Sequence, residues 1–309
     1  MFSRRSVIKL NDRILVTSAM SYHSRQDLID KLLSQGCNSD DQGSEASSSG
    51  SSDQQMPCEQ RGNLNGRCWV DGETMIEEHL HEVYDKLPNL EKQIWGKLIV
   101  MENNRRTAKA YLRHPVITID GTEAEFDGLR VGLSYFDNPE RSGAVAEIHN
   151  DLEQGVKLKI DPDGNLWAKR MCHTPVFLKP LYRNRANDLF VVDQRPVKVF
   201  DIRRFKEILV QELKQNTPDR RRLEKCCLVC LKFSVDHYDL LRTPCWVLLV
   251  HLVAIELLNL VLPKGWCKKM ALPIEWFWSI LIRLQFDQAK RVKTKRILHF
   301  STCGFACGG

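Results

Sequence analysis

Two closely spaced cysteines are the first residues of this sequence whose types could support chemistry. Cys227 and Cys230 form its one C-x-x-C motif, a spacing that zinc and thiol redox sites use when both sulfur atoms converge on one point. The run Cys226–Val235 alternates like a β-strand, so Cys226 and Cys230 would share one face and Cys227 would point to the other. We therefore predict buried structural cysteines rather than a metal or thiol site.

A histidine pair and an arginine run are the other chemical candidates. His79 and His81 have acidic neighbours, but residues two apart on a helix do not share a face, so we predict solvated surface histidines. The run Arg220–Arg222 could bind an acidic ligand, because phosphate recognition uses clustered arginines. We favour a solvated first turn of a segment that leads into the Cys227 strand, with the ligand patch as the alternative.

Signatures of the common enzyme classes are missing from the sequence. It contains no G-x-S-x-G nucleophile motif, no G-x-x-x-x-G-K-[ST] phosphate loop, no H-E-x-x-H zinc motif and no G-x-G-x-x-G after a strand. This predicts a non-enzymatic protein with no catalytic residues, no cofactor and no metal site.

The positive charge of the chain is concentrated near its C-terminus. The 309 residues are 27% charged and 43% hydrophobic, enough for one large or two small globular domains, with a formal net charge of +6. From Pro263 onward nine Lys and Arg residues stand against Glu275 and Asp287, so this segment carries +7 and residues 1–262 sum to about −1. The globular part lacks a field that attracts phosphate backbones, so we predict no DNA binding by the domain itself.

Cysteine usage and the N-terminus indicate the compartment. Eleven cysteines in 309 residues are far below the density of a small secreted disulfide scaffold, and Met1–Asn11 is basic without the apolar stretch of a leader. We expect a reducing, intracellular environment, the cytoplasm, with the nucleus as a second compartment.

Composition divides the chain into four predicted segments. The first contains Ser24–Leu33, where an N-cap serine precedes apolar residues at helical spacing. The second should be disordered, because Asn38–Asp53 is serine-rich and acidic and has no large apolar residue to bury. The segments are a short helical N-terminal segment (1–37), a linker (38–68), a folded domain (90–262) and a basic tail of uncertain structure (263–309).

Short runs rich in β-branched and aromatic residues follow one another from Ile94 onward, separated by turn residues such as Asp120-Gly121. Many short strands without regularly alternating helices are typical of a sandwich rather than a doubly wound sheet. We therefore predict a mainly β fold with two or three inserted helices. The predicted strands are Ile94–Met101, Val116–Ile119, Leu129–Leu133, Val156–Ile160, Leu166–Lys169, Val176–Leu178, Val197–Phe200, Cys227–Val235 and Trp246–Leu252, and the helices are Thr74–Leu87, Ala144–Gln154, Ile202–Gln215 and Val253–Leu262.

The sixteen-residue run Val247–Leu262 is almost entirely apolar. It is short for a membrane span, and His251, Glu256 and Asn259 would lie inside the bilayer. We predict a buried strand followed by a buried helix, covered by partner helices or by another subunit.

The order of these motifs resembles the Mad-homology-2 domain of the Smad family, over about Leu90 to Leu262. The most specific part is Thr243-Pro244-Cys245-Trp246 with the strand and helix that follow, which is similar to the family's T-P-C-W strand and final helix. Val116–Gly121 (VITIDG) resembles its V-x-V-D-G, and Val131–Ser134 (VGLS) its G-L-x-S. Stretches that match in the same order are Trp95–Asn103, Leu152–Leu158, Gly164–Ala168, Pro175–Phe177 and Val199–Leu209.

This resemblance implies a Smad/FHA-type β-sandwich with a helical bundle at one end, related in architecture to forkhead-associated domains. It implies protein–protein interaction without a cofactor. The partners would be other proteins, either Smad-like chains or further copies of this chain, with trimer formation left open. The chain looks like a divergent member, similar to the arthropod Smad-like proteins called Expansion, since nothing before Leu90 matches the family's DNA-binding Mad-homology-1 domain.

The resemblance also implies an interface pair. Asp120 matches the family's interface aspartate, whereas the position of the interface arginine is Gly128 here. Arg130, two residues on, leans to the same face of the strand and could substitute. An Asp120–Arg130 pair across subunits and an ordinary surface strand are the alternatives.

The loop before Thr243 is the second candidate contact. The family's phosphoserine pocket uses a Lys, a Tyr and an Arg in a G-W-G loop, but here the loop is shorter and has no G-W-G. Tyr238 aligns with the family tyrosine, Asp236 lies near the lysine position, and Arg242 stands where the family has serine. Together with His237, Tyr238 and Arg242 are candidates for protein contact. An acid where phosphate should bind argues against phosphoserine capture.

Two functions remain open at this point. We expect a signalling adaptor in transcription regulation, and the alternative is a cortical or membrane-proximal scaffold that organises epithelial or cytoskeletal partners. In the tail, Leu272–Phe286 is apolar with a basic flank, which is typical of an interfacial helix that contacts a membrane. The composition changes abruptly at the start of the tail, which favours the alternative that the tail is an artefact of gene modelling and not part of the protein. We therefore do not expect the tail to contact a membrane.

Overall fold

The computed structural model describes residues 24–34, 68–182, 190–215, 217–234 and 239–264. Most of the predicted linker and the tail beyond Lys264 lie outside these residues. Within the described ranges the helices are α1 (Arg25–Ser34), α2 (Gly72–Lys86), α3 (Gly143–Leu152), α4 (Ile202–Leu213), α5 (Arg220–Cys226) and α6 (Leu252–Val261). The strands are β1 (Gly96–Glu102), β2 (Arg105–Leu112), β3 (Val116–Asp120), β4 (Arg130–Gly132), β5 (Val156–Ile160), β6 (Leu166–Arg170), β7 (Val176–Lys179), β8 (Phe190–Val192), β9 (Val197–Phe200), β10 (Leu228–Lys232) and β11 (Cys245–His251).

These strands form two mostly antiparallel sheets. The six-stranded sheet has the order β2-β1-β11-β10-β7-β8, and the five-stranded sheet has the order β4-β3-β5-β6-β9. One pair, β3 with β4, is parallel. Side chains from both sheets and from the helices share one hydrophobic core. The prediction of a mainly β sandwich is therefore confirmed.

The centre of the six-stranded sheet is buried on both faces. Every residue of β1, β10 and β11 is buried. β11 pairs with β1 along its whole length, from His251 opposite Gly96 to Cys245 opposite Glu102. A strand covered on both faces is a continuous apolar run in sequence. This confirms the prediction of a buried strand and a buried helix in Val247–Leu262, because α6 follows β11 directly and is also largely buried.

A helical bundle covers α6. Helices α4, α5 and α6 contact one another, and α1 also contacts α6. The side chain of Asp201 caps α4 by accepting hydrogen bonds from the backbone N–H groups of Arg203 and Arg204. The helix then presents Phe205 and Leu209 to the core. Partner helices of the same chain therefore cover α6, one of the two predicted alternatives.

Two helices that precede residue 90 add to the same core. α1 buries Leu28, Ile29 and Leu32, and α2 buries Met75 and Val83 among others. Ser24, the predicted N-cap residue, forms a reciprocal cap with Asp27 at the start of α1.

Three elements were not predicted from the sequence, namely β2, β8 and α5. β2 (RRTAKAYL) lacks the β-branched character that marked the other strands, and it forms because the Asn103-Asn104 turn folds it back onto β1. β8 has only three residues. α5 is a short helix that Asp219 caps by accepting from the N–H of Arg222.

Candidate functional site

The Thr243-Pro244-Cys245-Trp246 segment joins β11 to the turn between β1 and β2. The hydroxyl of Thr243 donates to the Asp239 carbonyl oxygen at 3.0 Å, and the Pro244 carbonyl oxygen accepts from the Asn103 N–H at 2.8 Å. Trp246 is fully buried and lies opposite Met101 in the sheet. This signature segment is therefore a structural anchor, with Thr243, Cys245 and Trp246 buried and Pro244 partly exposed.

A buried polar cluster lies beside this anchor. Both carboxylate oxygens of Glu102 are held, by the Arg141 guanidinium at 2.9 to 3.2 Å and by the Asn138 amide at 2.6 Å. His149 lies between Glu102 and Cys245, with Nε2 3.8 Å from the carboxylate and 3.6 Å from the Cys245 Sγ. Sequence reasoning missed this cluster, because its members are up to 143 residues apart.

The same cluster contains a thiol next to an imidazole, but its environment suppresses nucleophilic chemistry. Burial raises the pKa of the Cys245 thiol far above its usual value, with the Glu102 charge adding to the effect. Burial also lowers the pKa of His149 to about 4. A neutral thiol without solvent access is a poor nucleophile, so the cluster serves to connect β1, β11 and α3.

Asp120 and Arg130 meet within one chain. Arg130 Nε lies 3.3 Å from Asp120 Oδ2, although Arg130 is half exposed and Asp120 is only 1% exposed. Thr122 donates both its N–H and its hydroxyl to Asp120 Oδ1, at 3.1 and 2.6 Å. Arg130 pairs with Thr118 and Gly132 with Asp120, so Asp120 and Arg130 lie on the same face of the five-stranded sheet, and these contacts to Asp120 come from its own chain. A pair across subunits stays a prediction.

Two glycines position Asp120. A Cβ atom at Gly121 would lie 1.6 Å from the His149 carbonyl oxygen, so only glycine allows β3 and the end of α3 to approach this closely. Gly155 has φ of +65°, and a Cβ there would lie 1.9 Å from the Ile119 carbonyl oxygen. The Asp120-Gly121 turn is therefore packed tightly against α3.

The loop before Thr243 is only partly described. His237 and Tyr238 lie outside the described residues, and so do Val235 and Asp236. Arg242 is exposed and lies 3.8 Å from Asp239 of the same turn. The proposed protein contact by His237, Tyr238 and Arg242 stays a prediction.

An apolar groove of about 380 Å³ opens where the edge strands of both sheets approach α4. We call this the edge groove; β7, β8, β9 and α4 form its walls. Two residues of β8, Phe190 and Val191, are 50% and 57% exposed in it. β8 is the last strand of its sheet, so one side of its backbone is not paired by any described strand. Sequence analysis missed the groove because β8 itself was not predicted.

Charged residues surround the edge groove. Lys179, Lys198 and Arg204 line it together with one acid, Asp201. Lys198 and Asp201 form an ion pair at 3.1 Å, and Lys198 also lies over the Trp167 ring. The rim is therefore net positive around an apolar floor.

The prediction of two solvated histidines is wrong for His79. His79 is 1% exposed, whereas His81 is exposed and lies 2.8 Å from Asp85. The reason is helical periodicity, since Met75, His79 and Val83 are spaced four apart and share the face of α2 that packs on the core. Burial, aided by the nearby charges of Arg106 and Lys97, lowers the pKa of His79 to about 3.

Glu82, on the same helix, attaches α2 to the sheet. Its carboxylate lies 3.1 Å from Lys97, 2.8 Å from Arg106 and 2.9 Å from Lys109. Burial alone would raise the pKa of Glu82, but these three cations hold it well below its usual range. Burial in turn lowers the pKa of Lys97 to about 8.

The solvated interpretation of Arg220–Arg222 is wrong for its first residue. Arg220 donates to the Tyr84 hydroxyl at 2.9 Å, to the Asn259 amide oxygen at 2.6 Å and to the Leu262 carbonyl oxygen. It thereby connects α2, α5 and the end of α6. Arg221 is exposed near Glu77, as expected of a solvated residue.

The cysteines differ in geometry from the prediction. Cys226 ends α5 and Cys227 follows it, so only Cys230 lies in a strand and the predicted sharing of strand faces is wrong. All three are buried, which confirms the predicted burial of these cysteines. Burial raises the pKa of Cys226 to about 11 and that of Cys230 to about 12.

Neither a metal cluster nor a bilayer-crossing helix occurs in the described ranges. No three His, Cys, Asp or Glu side chains there are grouped so that they could hold a metal ion. None of the helices described above combines the length and the apolar character that crossing a membrane requires.

Comparison with known proteins gives a family match and three curated relatives. A family model described as MH2 domain matches residues 93–253. Smad protein daf-8 of Caenorhabditis elegans is 29% identical in an alignment of 182 positions that covers 53% of this chain and 33% of that protein. The chain thus spans about a third of the length of this relative.

Two solved structures align with part of the chain. The crystal structures of the interferon regulatory factor 9 IAD domain and of STAT2 in complex with IRF9 have TM-scores of 0.40 and 0.41 and identities of 16% and 17%. The alignments cover 56% of this chain in both cases, and 93% and 100% of those chains.

Proposed function

Because this chain belongs to the MH2 domain family, we propose that it is a non-enzymatic adaptor in Smad-like signalling which binds partner proteins in the edge groove. The observation that carries the proposal is the pair Phe190 and Val191, two large apolar side chains half exposed on an edge strand. An exposed apolar surface rimmed by polar residues marks an interaction site in soluble proteins.

The groove supports a definite partner chemistry. An extended peptide could add to the free side of β8 through backbone hydrogen bonds and place alternate apolar side chains on the groove floor. The three cations at the rim, Lys179, Lys198 and Arg204, favour acidic residues next to those apolar anchors. The partner segment we propose is therefore apolar in alternation and acidic at its flanks.

The finer role we propose is in transcription regulation, by recruitment of protein partners in the cytoplasm and nucleus. The charge of about −1 over residues 1–262 supports recruitment rather than direct DNA contact. The second candidate is a cortical or membrane-proximal scaffold for epithelial or cytoskeletal partners, and the net charge of residues 1–262 does not distinguish it from the first. Localisation separates the two, since a tagged chain that never enters the nucleus when export is blocked contradicts the transcriptional role.

A pair of matched surface variants tests the edge groove. Val191→Asp places a charge in the groove, and Leu129→Asp makes the same change at a 50% exposed residue next to β4, in the other sheet. Tagged full-length chains are purified from cells, and their partners are quantified by mass spectrometry. We expect Val191→Asp to reduce specific partners by about tenfold or more, the effect of losing one apolar hot spot, while Leu129→Asp retains them.

Two results would contradict the proposal. One is an unchanged partner set with Val191→Asp in a folded protein. The other is an equal loss with Leu129→Asp, which would assign binding to a different face of the domain.

A further inference from the structure

Helix α1 contacts the rest of the molecule in the manner of a bound ligand. Its apolar side chains Leu28, Ile29 and Leu32 are at most 4% exposed. Residues 35–67, thirty-three in number, separate it from the next described residue, Cys68. Among the described residues, every tertiary contact of this face is therefore made with a part of the chain that lies beyond residue 67.

The surface under α1 holds the first turn of the helix. The Arg25 N–H donates to the Lys92 carbonyl oxygen at 2.8 Å, and the guanidinium donates to the Glu91 and Ile94 carbonyl oxygens at 2.8 and 2.6 Å. Arg25 also pairs with Glu256 of α6 at 2.9 Å. This arginine is 4% exposed, so the surface provides a shaped, polar socket for it.

The same surface holds the last turn. Buried Lys206 of α4 donates to the Leu32 carbonyl oxygen at 2.7 Å, one of the terminal carbonyls that a helix cannot satisfy itself. Lys31 lies 2.9 Å from Asp163 and 3.1 Å from the Pro162 carbonyl oxygen, in the turn between β5 and β6. We call this surface, formed by α4, α6, the β5–β6 turn and the segment before β1, the helix socket.

Helix α1 should detach from the helix socket at a lower free energy than the sheets require to unfold. A ten-residue helix is marginal in water on its own, so its order depends on docking. Three buried apolar side chains and two end contacts are a small part of the core, and such a unit opens at a lower free energy than global unfolding.

We propose that α1 exchanges between two copies of this chain, each inserting its helix into the helix socket of the other to form a closed dimer. Both copies carry the helix and the socket, so both sockets are filled and the pairs Arg25–Glu256 and Lys31–Asp163 form between chains as they do within one. Thirty-three extended residues span at most roughly 110 Å. A folded unit of about 200 residues has a radius of gyration of roughly 17 Å, so the connection reaches a neighbouring copy.

Mass action sets when the exchange is visible. The connection to the rest of the chain keeps α1 at an effective concentration of roughly millimolar order at its own socket. Exchange between copies therefore competes only when the protein concentration approaches that value. We expect monomers at about 10 μM and a measurable dimer at about 500 μM.

Zero-length cross-linking in a mixture of ¹⁵N-labelled and unlabelled chains tests this exchange. A carbodiimide couples Lys31 to Asp163, which lie in contact and are each about 40% exposed. Equal amounts of ¹⁵N-labelled and unlabelled protein are mixed, incubated, cross-linked and digested, and the linked peptides are weighed. The pair Lys225 and Glu73, which joins α5 to α2, serves as an internal control.

The exchange predicts that mixed-label Lys31–Asp163 links increase with concentration towards half of all such links, in step with the dimer seen by light scattering. Lys225–Glu73 links should remain within one label. Only same-label Lys31–Asp163 links at the highest concentration would overturn the proposal. Mixed labels at Lys225–Glu73 as well would also overturn it, since more than α1 would then be exchanged.

Substitutions on opposite faces of α1 provide a second test. Ile29→Asp places a charge in the socket and should abolish both the dimer and the Lys31–Asp163 links, whereas Gln26→Ala on the exposed face should preserve them. Val191→Asp in the edge groove should leave the dimer unchanged. A dimer that persists with Ile29→Asp contradicts the proposal.

Discussion

The centre of the six-stranded sheet and its β8 edge use similar apolar residues for different purposes. In β1, β10 and β11 every residue is buried, because strands lie on both sides and packed layers lie on both faces. In β8 the run Phe190-Val191 has a strand on one side only, and both side chains remain half exposed. The same residue types are therefore buried in one place and remain half exposed in the other, where we propose that a partner binds.

Charged residues show the same contrast. Glu102, at the end of β1, is buried and held on both oxygens by Arg141 and Asn138. Lys198 and Asp201, at the rim of the edge groove, form a partly exposed pair. Removing one partner of a buried pair leaves a desolvated charge, whereas water solvates a rim residue that loses its partner. Variants of the centre should therefore affect stability, and variants of the edge should affect binding.

The largest expected effect is that of Trp246→Ala at the centre. Removing this fully buried ring should lower the free energy of unfolding by roughly 3–5 kcal/mol, which is most of the stability of a domain at the low end of the usual range of about 5–15 kcal/mol. Urea unfolding followed by circular dichroism measures the loss. A soluble variant with the wild-type midpoint would contradict the central position of this strand.

A smaller loss is expected from Arg141→Ala, which leaves the Glu102 carboxylate without its guanidinium. The expected cost is about 2–3 kcal/mol, since Asn138 still donates one hydrogen bond. Arg105→Ala is the matched control, because Arg105 pairs with a largely exposed Glu140 and should cost less than about 1 kcal/mol. Equal losses of stability for the two variants would contradict the distinction between buried and exposed ion pairs.

Acid should destabilise the centre through its buried histidines. Burial lowers the pKa of His251 to about 4, so the folded state excludes a proton that the unfolded histidine, with a pKa near 6.5, accepts. Stability is therefore present above pH 6.5 and is lost as the pH falls towards 4. At pH 5 the loss from His251 alone is about 2 kcal/mol. Urea midpoints at pH 7.5 and pH 5 measure it, and equal midpoints would contradict a buried neutral imidazole.

The smallest effect on stability is expected at the edge. Val191→Ser should change the free energy of unfolding by less than about 1 kcal/mol, because this side chain is already 57% exposed. The same variant should weaken partner binding in the affinity experiment described above. A large loss of stability with retained partners would reverse the assignment of folding to the centre and of binding to the edge.

Much of the fold could be predicted from local patterns. The bounds of β5 and β9 coincide with those predicted, and α4 begins at the predicted Ile202. These elements are marked by periodicity, caps and turn residues, which are properties of neighbouring residues. β2 could not be predicted in this way, because its Arg, Lys and Ala residues form a strand only through pairing with β1.

Much less of the candidate site could be predicted from local sequence patterns. The order of motifs identified the family resemblance and its Thr243–Trp246 signature, whereas the structure showed that this segment is an anchor. The burial of His79, the contacts of Arg220 and the edge groove were decided by which elements meet in space.

The sequence by itself determined most of the strands and helices and the buried Val247–Leu262 unit, because apolar runs and caps act over a few residues. Only the tertiary structure decided that Asp120 meets Arg130 within one chain and that Glu102 lies beside Cys245. These pairings join residues from separate strands, and the free energy that brings them together comes from burial of the whole core rather than from any one segment.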